Sequence, residues 1–245
     1  SAAMPGAPLL SALGALYAGA GLVSRVWRRS WGSLCSLPEC MNEILAGDSD
    51  FLTPEDIGAL RGALLRADAV VLGPGLGLRP ETQEFVRAAL ELLKSERKRV
   101  IIDADALTHL SMLNERLSDH AAVITPHPGE AATLLGKSVQ AVQGDRFSAV
   151  RELSERFGCT VVLKGAGTMV AGEGRAGIVA RGSQYMATAG SGDVLAGVVS
   201  ACAVRSASLF DAAAVAAYVH ACAGERASAE NGGPVLASEI ARSVA

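Results

Sequence analysis

Ala187-Thr188-Ala189-Gly190-Ser191-Gly192-Asp193-Val194-Leu195-Ala196-Gly197 runs from small residues straight into an apolar stretch of helical character. Glycine lets a backbone approach a ligand with no Cβ in the way. The first N–H groups of a helix have no partner within it, and together with the helix dipole they make a site for an anion. Asp193 falls in the first turn of that helix. An ordinary aspartate ionises near ~3.9 and the dipole favours the charged form further, so an ionised carboxylate is expected at neutral pH. A carboxylate beside a phosphate site can take a proton from a hydroxyl that attacks the terminal phosphoryl group, while the N–H groups hold the developing charge. Asp193 alone would read as an acid that steadies a helix start. The small residues immediately before it favour the catalytic reading.

Downstream, Ser191 to Ala203 and Leu209 to Ala227 read as two Ala-rich helices. Upstream, Thr168 to Ala171 and Ala176 to Ala180 flank Gly172-Glu173-Gly174-Arg175 as a hairpin. Before the hairpin, short apolar runs at 69–72, 100–102, 121–124 and 159–163 alternate with helical segments over 80–97, from Asp105, after Glu130 and over 139–157. That alternation predicts an α/β fold: a mostly parallel central sheet covered on both faces, with antiparallel edge strands from the hairpin. Leu9, Leu10, Leu13 and Leu16 place a helix over 7–19, closed at Gly19 or Gly21. Thr53-Pro54-Glu55-Asp56 predicts a helix start, with Thr53 as cap and Pro54 in the first position, running to about Arg66. Residues 24–50 show no clear period; Trp27 and Trp31 are four apart, the spacing of one helix face. No repeat or linker interrupts the chain, which reads as one domain over 1–245.

Ligands in open α/β sheets bind at the carboxyl ends of strands, and each strand here ends in a chemically marked loop. Gly73-Pro74-Gly75-Leu76-Gly77 is in neither the Rossmann nor the P-loop register, and a tight turn is an equal reading of it. Asp103 and Asp105 can hold Mg²⁺ through water or cap the next helix, capping being the expected job of Asp105. His127, fixed between Pro126 and Pro128, can donate to a ligand amide or phosphate; Glu130 falls in the following first turn, where capping is the ordinary role. Lys164-Gly165-Ala166-Gly167-Thr168 supplies a cation and open backbone for phosphate. His109, His120 and His220 show no metal-ligand spacing and read as structural.

Composition narrows the classes. Hydrophobic residues make up 50% of 245 and aromatics only 4%, so the core is built from Ala, Val and Leu. A net charge of −3 from 22 basic and 25 acidic residues gives no field that would draw nucleic acid. Arg25, Arg28 and Arg29, the densest basic cluster, read as a solvated face. Cys35, Cys40, Cys159, Cys202 and Cys222 are odd in number and lack any C-x-x-C pair, which fits reduced, mostly buried thiols in a cytoplasmic protein. No apolar run reaches the ~18 residues of a membrane span, so no membrane partner is expected. The Ala-rich start, Met4 to Val23, lacks a basic leader region and is broken by Pro5 and Pro8, so it reads as part of the fold.

Leu72 to Gly77, Ile102 to Leu107, Thr125 to Glu130, Lys164 to Thr168 and Ala187 to Gly197 occur in the order found in the NAD(P)H-hydrate dehydratases, and the chain resembles that family over nearly its whole length. Thr125-Pro126-His127-Pro128-Gly129-Glu130 is the most discriminating segment, since sugar and vitamin kinases of the same fold usually differ there. Gly190-Ser191-Gly192-Asp193 is less specific, because a G-x-G-D version marks the whole superfamily. The resemblance implies a ribokinase-like three-layer α/β/α fold and repair of hydrated NADH or NADPH. An adenine nucleotide, ADP or ATP with Mg²⁺, phosphorylates the ring hydroxyl, and phosphate is eliminated to restore the double bond. It implies Asp193 as a base touching the hydrate, with Ala7, Gly75, Gly77 and His127 as further hydrate contacts. It implies Lys164, Gly165, Ala166, Gly167, Thr168, Gly190, Ser191 and Gly192 as nucleotide contacts, with Asp103 and Glu130 as candidates for Mg²⁺. The chain looks like a bacterial stand-alone form, which favours ADP, and a homo-oligomer, a tetramer by analogy, is implied too.

Three departures from the family's pattern stand out. Its opening strand with a Gly-Gly-Ser type turn is absent before Met4, so a truncated chain is the expectation. Ala180-Arg181-Gly182-Ser183-Gln184-Tyr185 stands where an Asn-Pro-x-Gly segment is often seen, and the epimerase domain fused to many relatives is not in this sequence. Two rival expectations remain: a small-molecule kinase of the same fold acting on a vitamin precursor, against which the Thr125 to Glu130 segment argues, and a non-catalytic nucleotide sensor, against which the retention of Asp193 argues.

Overall fold

Consecutive side chains of a strand point to opposite faces, yet Val100, Ile101 and Ile102 are all without exposed surface, as are Val161, Val162 and Leu163. In this computed structural model, which describes residues 1–32 and 37–245, alternate strand residues separate into two cores. Val100, Ile102, Ile124, Val161 and Leu163 enter one; Ile101, Val123 and Val162 enter the other. Burial on both faces is the reason these strands are apolar throughout.

In chain order the described elements are α1 (Gly6–Tyr17), β1 (Val23–Arg28), β2 (Cys40–Leu45), α2 (Asp56–Arg66), β3 (Ala69–Leu72), α3 (Pro80–Ser95), β4 (Arg99–Ile102), α4 (Asp105–Leu113), β5 (Ala121–Ile124), α5 (Pro128–Leu135), α6 (Val139–Gly144), α7 (Arg146–Phe157), β6 (Thr160–Leu163), β7 (Thr168–Gly172), β8 (Arg175–Val179), α8 (Ser191–Arg205), α9 (Leu209–Asn231) and α10 (Ala237–Arg242). Strands β3, β4, β5 and β6 are parallel neighbours in that order; β7 and β8 continue the same sheet antiparallel. Helices α2 to α7 bury their apolar sides in the first core, and α8, α9 and α10 in the second, with Leu10 and Leu13 of α1 packed against it. This is the expected three-layer α/β/α arrangement.

The helix layer containing α8 packs unusually closely because it is built from small residues. A Cβ on Gly14 would sit 2.2 Å from the Val194 carbonyl oxygen, and one on Gly197 would sit 1.9 Å from the Ser11 carbonyl oxygen. Glycines on both helices therefore let the backbones of α1 and α8 touch, which no other residue permits.

Several sequence readings change. Trp27 and Trp31 do not share a helix. Trp27 lies in β1, which pairs in parallel with β2, and Trp31 ends a short 3₁₀ turn; their rings meet edge-on with centroids 5.9 Å apart. Of the arginines read as a solvated face, only Arg29 is exposed. Arg25 is buried, donating to Asn42 Oδ1 at 2.9 Å and lying over the Trp27 ring. Arg28 is buried, its Nη2 donating to both carboxylate oxygens of Asp56 at 2.7 and 2.6 Å. Thr53 and Pro54 do not open α2; it begins at Asp56, whose carboxylate accepts the Thr53 N–H at 2.9 Å. The segment 139–157 is two helices, parted at Asp145, whose carboxylate caps α7 through the Ser148 N–H. Cys40 and Cys159 are buried free thiols, Cys202 and Cys222 are half-buried, and Cys35 lies outside the described residues. Among the described residues, no helix is long and apolar enough to cross a membrane.

Candidate active site

Gly190 is the residue before α8, with φ +87°, so Ser191, Gly192 and Asp193 are the first three residues of that helix. Among the described residues no side chain caps it; the Ser191 N–H donates to the Thr188 carbonyl at 3.3 Å, which leaves the N–H groups of Gly192 and Asp193 for an outside acceptor. The turn stays at the helix end, as the sequence requires. A Cβ on Gly190 would sit 2.3 Å from Leu10 Cδ1, and one on Gly192 would sit 3.2 Å from Lys164 Nζ. One turn of α1 and the end of β6 thus close on this loop from two sides.

Loop residues after the parallel strands are tied to one another across the sheet. Asp103 N–H donates to the Leu72 carbonyl at 3.0 Å, and Lys164 N–H donates to the Pro126 carbonyl at 2.9 Å. Lys164 Nζ then reaches Asp103 Oδ1 at 2.6 Å and lies 3.6 Å from Glu130 Oε2. Burial alone would lower the Lys164 pKa, but Asp103, Glu130 and Asp193 together raise it, so its charge is firmly held. The cation expected to meet phosphate is therefore already paired with two carboxylates. For the same reason Asp103 and Glu130 do not fit as direct Mg²⁺ ligands: an ammonium sits between them. Among the described residues no group of three or more His, Cys, Asp or Glu could hold a metal ion.

Asp193 departs from expectation in its charge. Burial, then the Asp103 carboxylate, lift its pKa to about 7, with Asp105 and Glu130 adding to the rise and Lys164 opposing it. The dipole of α8 favours the anion, but desolvation and the acid cluster outweigh it. The result is a group poised to exchange a proton at neutral pH, the ideal property of a general base.

His127 caps α5. Its Nδ1 accepts the N–H of Gly129 at 2.9 Å and of Glu130 at 3.3 Å, while Glu130 Oε2 accepts the His127 N–H at 2.6 Å. With Nδ1 occupied as an acceptor, the ring proton of this exposed histidine resides on Nε2, which lies 3.6 Å from Glu130 Oε1. Glu130 has the capping role read from the sequence. Burial raises its pKa, opposed by Lys164.

The positive φ of Ala104, +50°, turns the chain sharply between the two acids that flank it. Asp103 goes to Lys164, whereas Asp105 Oδ2 accepts the Gly77 N–H at 2.7 Å instead of capping α4. Gly73 must be glycine, because a Cβ there would lie 1.6 Å from the Asp103 carbonyl oxygen. A Cβ on Gly75 would meet the Met4 carbonyl at 2.6 Å and Ala7 at 3.6 Å. Ala7 and Gly75 are thus neighbours, one turn of α1 away from the Leu10 contact with Gly190.

Two positioning residues escaped the sequence reading. Arg146, in the first turn of α7, donates through Nη2 to the carbonyls of Leu163, Lys164 and Gly167 at 3.2–3.3 Å, holding the Lys164–Thr168 loop from below. Thr168 Oγ1 closes the same loop on the Gly165 carbonyl at 3.0 Å, and Ala166 is exposed at its tip. His220, read as structural, is buried on α9 and bonds the Ser191 carbonyl through Nε2 at 3.0 Å; burial depresses its pKa to about 4, so it is neutral. No local motif marks either residue, since each acts on a loop far away in sequence.

The sequence pattern of the family described as NAD(P)H-hydrate dehydratase matches residues 1–245. The chain is 44% identical over 194 residues to the bifunctional NAD(P)H-hydrate repair enzyme Nnr of Escherichia coli K12, covering 78% of this chain and 34% of that protein. It is 38% identical over 206 residues to the ADP-dependent (S)-NAD(P)H-hydrate dehydratase of Neisseria meningitidis serogroup B, covering 80% of this chain and 64% of the relative. The chain therefore spans from a third to just under two thirds of these relatives. The Bacillus subtilis ADP/ATP-dependent NAD(P)H-hydrate dehydratase, crystallised with ATP/Mg²⁺, superposes with a TM-score of 0.81 at 25% identity, covering 100% of this chain and 84% of that one. Hydroxyethylthiazole kinase of Pyrococcus horikoshii OT3, at 16% identity and a TM-score of 0.66, shares the fold alone. With its marked loops gathered at one sheet edge in the order its sequence lays down, the chain belongs to the NAD(P)H-hydrate dehydratase family, on a ribokinase-like fold.

Proposed function

We propose that this protein dehydrates (S)-NAD(P)H hydrate to NAD(P)H at the expense of an adenine nucleotide, with Asp193 as the base. The observation that carries the reading is the joint placement of Asp193 and the open first turn of α8. The carboxylate, with a pKa of about 7, takes the proton of the ring hydroxyl as its oxygen bonds to the terminal phosphorus. N–H groups of Gly192 and its neighbours hold the charge on the phosphoryl oxygens, and the nucleotide leaves shorter by one phosphate. The C–O bond then breaks with its electrons going to the departing phosphate. The released phosphate takes a proton from the adjacent ring carbon, and the double bond returns. His127 Nε2–H, Ala7, Gly75 and Gly77 face the hydrate in this reading, and the Lys164–Thr168 loop with Gly190 and Ser191 faces the nucleotide. Lys164 balances the acid cluster instead of gripping phosphate directly. Mg²⁺ comes with the nucleotide, held by its phosphate oxygens and water.

ADP is the donor we favour, because the Neisseria relative is named ADP-dependent. The same reading places the protein in the cytoplasm, where thiols such as Cys159 stay reduced, as a homo-oligomer. The test is incubation with hydrated NADH and ADP or ATP. Return of the reduced-nicotinamide absorbance with release of inorganic phosphate is expected; accumulation of a phosphorylated small molecule instead would reveal a kinase. No recovery with either nucleotide, in protein shown to be folded, sinks the reading. Asp193→Asn should bind nucleotide and lose turnover by about 10³-fold.

A further inference from the structure

Gly77 is gripped from both sides of its residue by two side chains of a single helix. Asp105 Oδ2 accepts its N–H at 2.7 Å, and His109 Nε2 bonds its carbonyl oxygen at 2.9 Å. Residues i and i+4 lie one above the other on a helix face, so Asp105 and His109 of α4 form a two-point clamp matched to the donor and acceptor of one residue. A carbonyl only accepts, so the ring proton of His109 is on Nε2. The other ring nitrogen, Nδ1, is buried with no hydrogen-bond partner among the described residues, and His109 is 1% exposed. A buried polar atom without a partner is a cost that an apolar side chain would avoid. Packing therefore does not account for a histidine here, whereas the bond to Gly77 does. The gripped residue also borders open space: Gly77 and Arg79 line one side of a cleft of about 630 Å³, with Ser1 to Ala3 and Phe51 on its other side.

We infer that Asp105 and His109 are positioning residues that fix the Gly73–Gly77 loop in the shape that receives the hydrated dinucleotide, without touching the nucleotide donor. The inference rests on the dehydratase reading above for the identity of that ligand. Gly77 has φ +84°, a conformation that a glycine leaves easily, so an ungripped loop would sample others and bind its ligand less well.

Steady-state kinetics at pH 8.5, where Asp193 is ionised, separate the clamp from general structural damage. His109→Leu is expected to raise KM for hydrated NADH about tenfold, the worth of one good hydrogen bond, with KM for the nucleotide within about twofold of wild type. His109→Gln, which keeps an N–H donor, is expected to recover most of the loss, and Asp105→Asn, which keeps an acceptor, to do better than Asp105→Ala. Amide hydrogen exchange supplies a second readout that needs no turnover. The Gly77 amide should be protected in wild type and in His109→Gln, and exchange at least about tenfold faster in Asp105→Ala. Equal rises in both KM values, failure of the Gln and Asn variants to recover function, or a Gly77 amide unprotected in wild type would each overturn the clamp. A wild-type protein with a protected Gly77 amide and no dehydration defeats the functional reading alone. Should His109→Leu not fold, as judged by thermal melting, the Asp105 pair and the exchange experiment decide.

Discussion

Asp193 concentrates the tension between stability and chemistry in one side chain. Its folded pKa of about 7 lies far above the ordinary aspartate value of 3.8 because burial and the Asp103 carboxylate oppose its charge. In the free enzyme kcat/KM should therefore rise with pH through about 7, as the base loses its proton. Asp103→Asn removes a repelling charge and frees Lys164 to face Asp193. Both changes lower the pKa, so the inflection should move to lower pH; an inflection that stays near 7 would refute the electrostatic account. The same shift has a sign for stability. Between about pH 4 and 7 the folded state keeps a proton that the unfolded chain has lost, so the Asp193 contribution falls as pH rises and is least favourable above 7. Asp193→Asn should then melt about 2 °C or more above wild type at pH 8, with the gap closing towards pH 4. Position and charge differ in legibility here. The sequence shows where Asp193 sits, because the turn before α8 is local. It hides the charge state, because Asp103, Glu130 and Lys164 arrive from other strands.

At the level of elements, the α1–α8 contact has the clearest consequences. A Cβ on Gly197 would lie 1.9 Å from a carbonyl oxygen and 2.8 Å from the Ala15 nitrogen, both backbone atoms that cannot swing aside. Gly197→Ala should cost about 2–3 kcal/mol by forcing the helices apart, lowering Tm by roughly 5–10 °C. It should also lower kcat, because α8 carries Asp193. Gly58 is the control: it is exposed in α2 with no described residue within 4 Å of its added Cβ, so Gly58→Ala should stabilise by about 0.5–1 kcal/mol. A thermal-melt series in which both variants behave alike would contradict this. Element boundaries were legible where a short apolar run is closed by polar or glycine residues, since 69–72 and 121–124 coincide with β3 and β5. They were not legible at 139–157, where a helical period runs across the break at Asp145, nor at Thr53-Pro54, whose cap-like residues precede the true start of α2.

Across the whole molecule, the least readable part is the β1–β2 pair. Arg25 and Arg28 look solvent-facing in the sequence, yet they are buried against Asn42 and Asp56, partners 17 and 28 residues away. Long-range polar pairing leaves no local period to detect. Asp56→Ala would leave the Arg28 guanidinium buried without its carboxylate and should cost about 3 kcal/mol or more, measured by urea unfolding; a loss within about 0.5 kcal/mol, typical of a surface substitution, would show the pair to be dispensable. The remaining loops obey one rule. Parallel strands β3 to β6 deliver their ends to the same edge, so four stretches scattered along the chain meet a fifth, the turn that opens α8. That meeting point is floored by a helix whose backbone already touches its neighbour at Gly14 and Gly197, where there is no room even for a Cβ. Such a floor works as an anvil: a close-packed base against which the reactants, more than the helix, must adapt.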